Sequence, residues 1–86
     1  MNLQKVNLSG ADLSETDLNG SDLGWADLSG ANLHGANLRG CRLLFADLTG
    51  ADLEEAIGIT SDQINEAITD VATLLPRDTL DSQRPA

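Results

Sequence analysis

The chain is poor in the residue types that build many functional sites. It has one cysteine, one tryptophan, one phenylalanine and no tyrosine, and only five Lys and Arg residues among 86. The single cysteine, Cys41, excludes an intrachain disulfide and a cysteine-based metal site. No apolar run approaches the ~20 residues that span a bilayer, and the first residues lack the charged-then-apolar order of a signal peptide. We therefore expect one small cytoplasmic domain with no membrane partner.

The shortage of cations leaves a formal net charge of −9. Nucleic-acid phosphates and anionic lipid surfaces are bound mainly by Lys and Arg, so the charge argues against both as partners. Catalytic groups are equally sparse, because His34 is the only histidine and no Ser or Cys has a base at suitable spacing. Asp27 and Asp47 offer fewer converging oxygens than the about six to eight that Ca²⁺ prefers. The sequence predicts no enzymatic activity, no cofactor and no metal.

The chain does contain a leucine at every fifth position through most of its length. Asp or Asn precedes each of these leucines except Leu43, which follows Arg42. An α-helix would scatter leucines at this spacing around its axis, and a flat strand would send them to alternate faces. Short extended pieces joined by corners bring them together, and Gly, Asp and Asn suit such corners. The predicted core leucines are Leu3, Leu8, Leu13, Leu18, Leu23, Leu28, Leu33, Leu38, Leu43, Leu48 and Leu53.

The repeating pattern of Ala, Asp or Asn, Leu, any residue and Gly, as in Ala31-Asn32-Leu33-His34-Gly35, strongly resembles the pentapeptide-repeat proteins. The resemblance covers about residues 1–56. It implies an all-β solenoid, namely a right-handed quadrilateral β-helix with four pentapeptides per coil, whose leucines and small residues point inward. Leucine-rich repeats and Ca²⁺-binding nonapeptide repeats fit poorly because their units have different spacings. The number of pentapeptides predicts fewer than three coils.

We divide the chain into a β-helix over residues 1–57, a C-terminal cap over 58–76 and a flexible tail over 77–86. Regular spacing ends at Gly58, and Thr60 with Gln63 matches a helical capping box. A stripe of apolar residues follows at helical spacing: Ile64, Ala67, Ile68 and Val71. These features predict a short capping α-helix over 61–68, with an extension to Val71 left open.

Residues twenty apart should stack in a four-sided coil, which brings the two aromatic residues together. We expect Trp25 and Phe45 to form an apolar patch with Leu44, and Gly24 to leave room for an approaching partner. This patch is the candidate protein-contact site. The alternative is that the chain's own Leu74-Leu75 segment covers it. Beside it, Asp22 and Arg42 should form an exposed ion pair.

The first coil begins almost at residue 1 without a capping segment. We considered three explanations: a longer chain, missing coils supplied by a partner, or homo-association of two copies through this uncapped N-terminal end. The leading functional prediction is a non-enzymatic module for protein–protein interaction. The alternative is an acidic DNA mimic that inhibits a DNA-binding protein such as a topoisomerase, as in a subgroup of the family, although the short length disfavours it. The resemblance also leads us to expect a cyanobacterial source.

Overall fold

The computed structural model describes residues 1–76, so the predicted flexible tail over 77–86 lies outside the described residues. The backbone winds as a solenoid in which parallel bridges join residues twenty positions apart through the repeat, and the last two bridges span 21 and 22 residues. Four ladders run along its sides: Asn2–Asp22–Arg42, Asn7–Asp27–Asp47–Ile68, Asp12–Asn32–Asp52–Leu74 and Asp17–Asn37–Ile57. We refer to them as the first to fourth sides, in that order. The first side is therefore opposite the third.

Each corner of the solenoid repeats one local turn. In the pentapeptide that contains Leu28, the backbone N–H of Ala31 donates to the Leu28 carbonyl at 3.0 Å, and Gly30 has a φ of 66°. A hydrogen bond across four residues with positive φ at the third is the pattern of a type II turn. The third position of each turn therefore favours glycine, which adopts positive φ without steric cost.

The acidic or amide residue before each leucine has a defined role in this turn. Asp27 Oδ1 accepts hydrogen bonds from the Ser29 N–H at 3.1 Å and from the Ser29 hydroxyl at 2.6 Å. This is an Asx turn, in which a side chain satisfies a backbone N–H two residues later. The same bonds, with the hydroxyl as the larger cause, lower the pKa of Asp27.

The core consists of the leucines and the small residues two positions before them. Burial is complete or nearly so for most of these residues: Leu18, Ser21, Leu23, Ala26, Leu28, Ala31, Leu33, Ala36, Leu38, Cys41, Leu43, Ala46, Leu48, Ala51 and Leu53. Leu3, Leu8 and Leu13 are partly buried because the first coil has a neighbour on only one side. Stacked leucines and small residues fill the interior along the axis, and within residues 1–76 Ser21 is the one fully buried polar side chain.

Cys41 occupies one of the small inward positions. Its thiol is buried and its Sγ donates to the Leu18 carbonyl at 2.9 Å. Burial raises the pKa of the Cys41 thiol. The residue therefore behaves as a small core side chain with a satisfied donor.

Ladder pairing continues beyond the predicted boundary at residue 57. Ile68 pairs with Asp47 and Leu74 pairs with Asp52, so the chain keeps following the sides of the solenoid after the leucine repeat has ended. Thr73 Oγ1 also donates to the Leu48 carbonyl at 2.8 Å. The repeat pattern could not predict these pairs because the two bridges span 21 and 22 residues instead of twenty, so they fall outside the five-residue spacing.

A helix, α1 (Ser61–Glu66), replaces the extended piece on the first side. The predicted capping box is present, since Thr60 Oγ1 accepts from the Gln63 N–H and Gln63 Oε1 accepts from the Thr60 N–H. Gln63 Nε2 also donates to the carbonyls of Leu38 and Cys41, at 3.2 and 3.0 Å. These bonds attach the helix to the coil beneath it.

The predicted span of 61–68 was two residues too long, and the extension to Val71 is absent. The helix ends at Glu66 because Ile68 leaves it to pair with Asp47. The predicted apolar stripe was also wrong in part. Ile64 is buried and Ala67 packs against the core, but Ile68 is 48% exposed and Val71 is fully exposed.

Candidate protein-contact site

Trp25 and Phe45 lie together at the corner that follows the first side. Their ring centroids are 4.6 Å apart and the planes are tilted by 37°. Trp25 is 58% exposed and Phe45 is 47% exposed, and Leu44 beside them is 45% exposed. The distance is typical of a favourable aromatic pair. The structure thus brings all three residues of the predicted patch together on the surface.

Both aromatic residues occupy an unfavourable backbone conformation. Trp25 has a φ of 61° and Phe45 a φ of 57°. Positive φ costs an L-residue roughly 1–2 kcal/mol, and bulky residues rarely adopt it. Most other corners of the repeat have glycine at this position. The fold therefore tolerates two strained aromatic residues where glycine would fit better.

The pentapeptide Cys41–Phe45 also lacks the Asx turn that every other repeat from residue 2 to 54 contains. In those repeats the side chain before the leucine accepts a hydrogen bond from the N–H after it, and the donors are Gln4, Ser9, Ser14, Asn19, Gly24, Ser29, His34, Arg39, Thr49 and Glu54. Arg42 has no acceptor atom in its side chain. Within residues 1–76, the Leu44 N–H consequently makes no hydrogen bond.

Two expectations about the surroundings of the patch were wrong. Asp22 and Arg42 pair through their backbones, but no ion pair joins their side chains. The Asp22 carboxylate accepts from Gln4 Nε2 at 2.9 Å and from the Gly24 N–H at 3.0 Å instead. Gly24 leaves no open gap either, because it is buried and a Cβ there would lie 3.2 Å from Asp22 Oδ1.

The Leu74-Leu75 segment does not cover the patch. Leu74 pairs with Asp52 on the third side, which is opposite the first side, and Leu75 packs against the core. Ladder pairing holds this segment away from Trp25 and Phe45. Among the described residues, the apolar patch therefore has no intramolecular cover.

Charge is distributed unequally around the solenoid. Within the repeat region, the first side is formed by residues 1–5, 21–25 and 41–45 and carries Lys5 and Arg42 against Asp22; helix α1 on the same side adds Asp62 and Glu66. The third side, formed by 11–15, 31–35 and 51–55, carries five acids and no Lys or Arg. Within the repeat region, the apolar patch thus adjoins the one side that has a net positive charge.

The remaining candidate groups form no reactive arrangement. His34 is half-buried on the third side, and its backbone N–H completes the Asx turn of Asn32. Asp27 and Asp47 stack in the second ladder. Residues 1–76 contain no group of three or more His, Cys, Asp or Glu side chains suited to a metal ion. The same part of the chain has no helix able to cross a bilayer.

Comparison with protein families identifies the repeat. The model for pentapeptide repeats matches residues 2–35 and 26–57, with eight copies. Together with the four parallel ladders, this match defines the molecule as a repeat protein of the right-handed β-helix class. The chain belongs to the pentapeptide-repeat family. The matching model indicates no enzyme family.

Solved structures of the same family resemble this chain. The pentapeptide-repeat protein Rfr23 from the cyanobacterium Cyanothece 51142 is 33% identical over 86% of this chain and 53% of its own, with a TM-score of 0.47. The protein alr5209 from Nostoc PCC 7120 is 33% identical over 90% of this chain and 67% of its own, with a TM-score of 0.31.

A third structure shares the fold at lower identity. QnrB1, a plasmid-mediated fluoroquinolone resistance protein, is 22% identical over 94% of this chain and 40% of its own, with a TM-score of 0.54. The chain therefore spans about half the length of Rfr23 and less than half that of QnrB1. No protein of curated function shows a significant match to the sequence.

Sequence reasoning found the aromatic patch but missed what surrounds it. The exception at Arg42 was visible in the repeat pattern, yet we interpreted it as one half of an ion pair. The role of Asp and Asn as acceptors for a specific N–H would have shown that Leu44 loses a partner there. Aligning the pentapeptides position by position would have given this signal.

Proposed function

We propose that this protein is a non-enzymatic module for protein–protein interaction, and that the exposed patch of Trp25, Leu44 and Phe45 is its contact surface. The observation that carries the proposal is the exposed pair of rings, Trp25 and Phe45, whose centroids lie 4.6 Å apart at two corners of positive φ. Strained conformations persist where another requirement outweighs their cost, and they concentrate at functional sites. Aromatic residues that cluster on a surface are also frequent binding hot spots.

The composition of one pentapeptide supports the same proposal. In Cys41–Phe45 all three outward positions depart from the repeat: Arg42 replaces Asp or Asn, Leu44 places an apolar side chain in solvent, and Phe45 replaces the common Gly. Each departure lowers stability or solubility. Rules of local structure that are broken together at one place usually mark a functional site.

The experiment replaces Trp25 and Phe45 by Ser and measures the oligomeric state and the proteins captured from the source cell. A matched control replaces Glu15 and Glu55 by Ser, because these residues share the positive φ but lie opposite, at the corner after the third side. We expect both double variants to fold and only the aromatic one to lose its associations. Unchanged folding and associations in the aromatic variant would show that the patch is not the contact.

The proposal includes homo-association at the N-terminal end of the solenoid. The N–H groups of Asp27 and Asn32 donate to the carbonyls of Val6 and Ala11, whereas the N–H of Asn7, one coil earlier, makes no ladder bond. Open strand edges of this kind pair readily with another chain. Light scattering over a concentration series should show dimers for the wild-type chain and fewer for Asn7→Pro. A concentration-independent monomer would contradict this part.

We also propose that residues 58–76 form a cap, which completes an irregular last coil. The regular part of the solenoid beneath it has fewer than three coils. Ile64 on helix α1 is buried, and Pro76 is buried at the end of the described chain. Repeat solenoids need such a polar terminal unit to protect their last coil. In this proposal residues 1–57 form the repeat region. We also propose that the protein is located in the cytoplasm, and imaging of the tagged chain would test this.

The acidic third side gives a second candidate function, which is inhibition of a DNA-binding protein by mimicry of DNA. Its five acids are the observation in favour. The longest extent of the molecule is 36 Å, which equals only about one turn of duplex DNA. A gyrase supercoiling assay tests this candidate. Inhibition that is lost on replacing Glu54 and Glu55 by Gln would support it, and no inhibition would exclude it.

A further inference from the structure

We propose that the contact surface contains a subsite for a carboxylate of the partner, formed by the backbone N–H of Leu44 and the guanidinium of Arg42. This inference deepens the proposed function and rests on it. The partner would present an Asp or Glu side chain next to an apolar one. The apolar group would contact the rings of Trp25 and Phe45.

The missing acceptor marks the position of the subsite. In ten other repeats an Asp or Asn oxygen accepts from the N–H that follows the leucine, at 2.9–3.1 Å. The fold therefore directs this N–H toward an oxygen that lies outside the backbone ladder. At Leu44 the direction is set by the same turn, but Arg42 supplies no oxygen. A carboxylate from another molecule can take its place.

Charge favours an ionised acceptor over a neutral one. Arg42 is exposed and forms no ion pair within residues 1–76, while Asp22 on the same side is already engaged by Gln4 and Gly24. The neighbouring Phe45 N–H is already satisfied, because it donates to the Glu66 carbonyl at 2.8 Å. Hydrogen bonds with a charged acceptor are roughly twice as strong as neutral ones. A guanidinium beside a backbone donor suits a carboxylate with two oxygens.

The rings of Trp25 and Phe45 form the apolar part of the contact surface beside the subsite. They lie at the residue directly after Leu44 and at the equivalent position one coil earlier, so the donor and the apolar patch adjoin each other. Each element alone would bind weakly. Together they define a partner segment in which an acidic residue neighbours an aliphatic or aromatic one.

The experiment titrates the ¹⁵N-labelled chain with the peptide acetyl-Leu-Glu-Leu-amide and with its Gln counterpart, and follows the amide of Leu44 and the indole N–H of Trp25. We expect the Glu peptide to move both signals, with millimolar affinity. The Gln peptide should bind about fivefold to tenfold more weakly.

Two variants at one position separate the donor from the charge. Arg42→Asn restores the Asx turn, so it should raise the urea midpoint of unfolding and abolish the Leu44 response. Arg42→Ala removes the guanidinium but restores no acceptor for the Leu44 N–H, so the Leu44 response should persist with weaker binding. As a control, Asn32→Arg removes the acceptor of the His34 N–H away from the rings, and neither peptide should bind there.

Three results would overturn the subsite. They are equal binding of both peptides without a Leu44 response, no response to the Glu peptide at about 10 mM, or an Arg42→Asn chain that still responds at Leu44. The first of these leaves the aromatic contact surface intact. The contact surface itself fails only if the Trp25 and Phe45 double variant keeps all its associations, so the two proposals can fail separately.

Discussion

Trp25 and Phe45 are twenty residues apart in the sequence, yet their ring centroids lie 4.6 Å apart on two adjacent coils, both at positive φ. The contact follows directly from the period of the solenoid, since the backbone N–H of Trp25 donates to the Leu44 carbonyl at 2.9 Å. The ladder therefore brings together two residues that the local turn disfavours. The ring contact recovers part of that cost, about 0.5–1.5 kcal/mol.

The cost of positive φ can be measured at a corner that has no ring. Glu55 has a φ of 63° and an exposed side chain. Glu55→Gly should raise the free energy of unfolding by about 1 kcal/mol, because glycine adopts this conformation without steric strain. Urea denaturation checks the value. The neighbouring Glu54→Gly serves as control and should lower stability, and a similar loss in both variants would refute the strain at this corner.

The side chain of Gln63 should account for much of the attachment of helix α1. It accepts from the Thr60 N–H and donates to the carbonyls of Leu38 and Cys41. Gln63→Ala removes these bonds, which are worth about 0.5–1.5 kcal/mol each. We expect a loss of about 2 kcal/mol in urea denaturation and faster hydrogen exchange at the Phe45 amide.

Asn65→Ala is the control for that measurement, because Asn65 lies on the same helix with an exposed side chain. It should change stability by less than about 0.5 kcal/mol. If Gln63→Ala were equally mild, the helix would be held by other contacts, and the capping role proposed for residues 58–76 would lose its main support.

The buried thiol of Cys41 should make stability depend on alkaline pH. Burial raises the pKa of this group above its ordinary value of 9.0. The unfolded chain then loses the thiol proton first, so the contribution is complete below about pH 8.5–9 and is lost as pH rises through the folded pKa. Thermal unfolding from pH 7 to 10.5 should show a steeper fall for the wild-type chain than for Cys41→Ala. Parallel curves would show that the thiol ionises equally in both states.

The architecture was largely predictable because a strict five-residue period leaves few geometries that bury every leucine. The inward positions, the stacking of Trp25 on Phe45 and the Thr60–Gln63 capping box all follow from spacing and residue type. The structure of residues 58–76 was harder to predict, since Ile68 and Leu74 join the ladders through backbone groups that any residue possesses. Apolar spacing wrongly predicted that Val71 would be buried on a helix. The helix ends at Glu66 because Ile68 joins the ladder, and Val71 is exposed.

The candidate site was predictable in its side chains and not in its backbone. Exposed apolar residues are visible in a sequence once the stacking period is known. The free N–H of Leu44 became evident only when the hydrogen bonds of the other ten repeats were in view. A missing acceptor cannot be recognised from one residue type alone. Arg42 is significant because it replaces the Asp or Asn that accepts this hydrogen bond in the other repeats.

The central claim is that the corner of Trp25 and Phe45 contacts another protein. Its most direct test is photo-crosslinking in the source cell, with Phe45 replaced by a photoreactive phenylalanine analogue and Glu54 replaced by the same analogue as control. Both positions are exposed, but Glu54 is on the opposite, third side. The account predicts one discrete cross-linked product from position 45, lost in a Trp25→Gly background, and none from position 54. No product from position 45, or the same products from both positions, would contradict it.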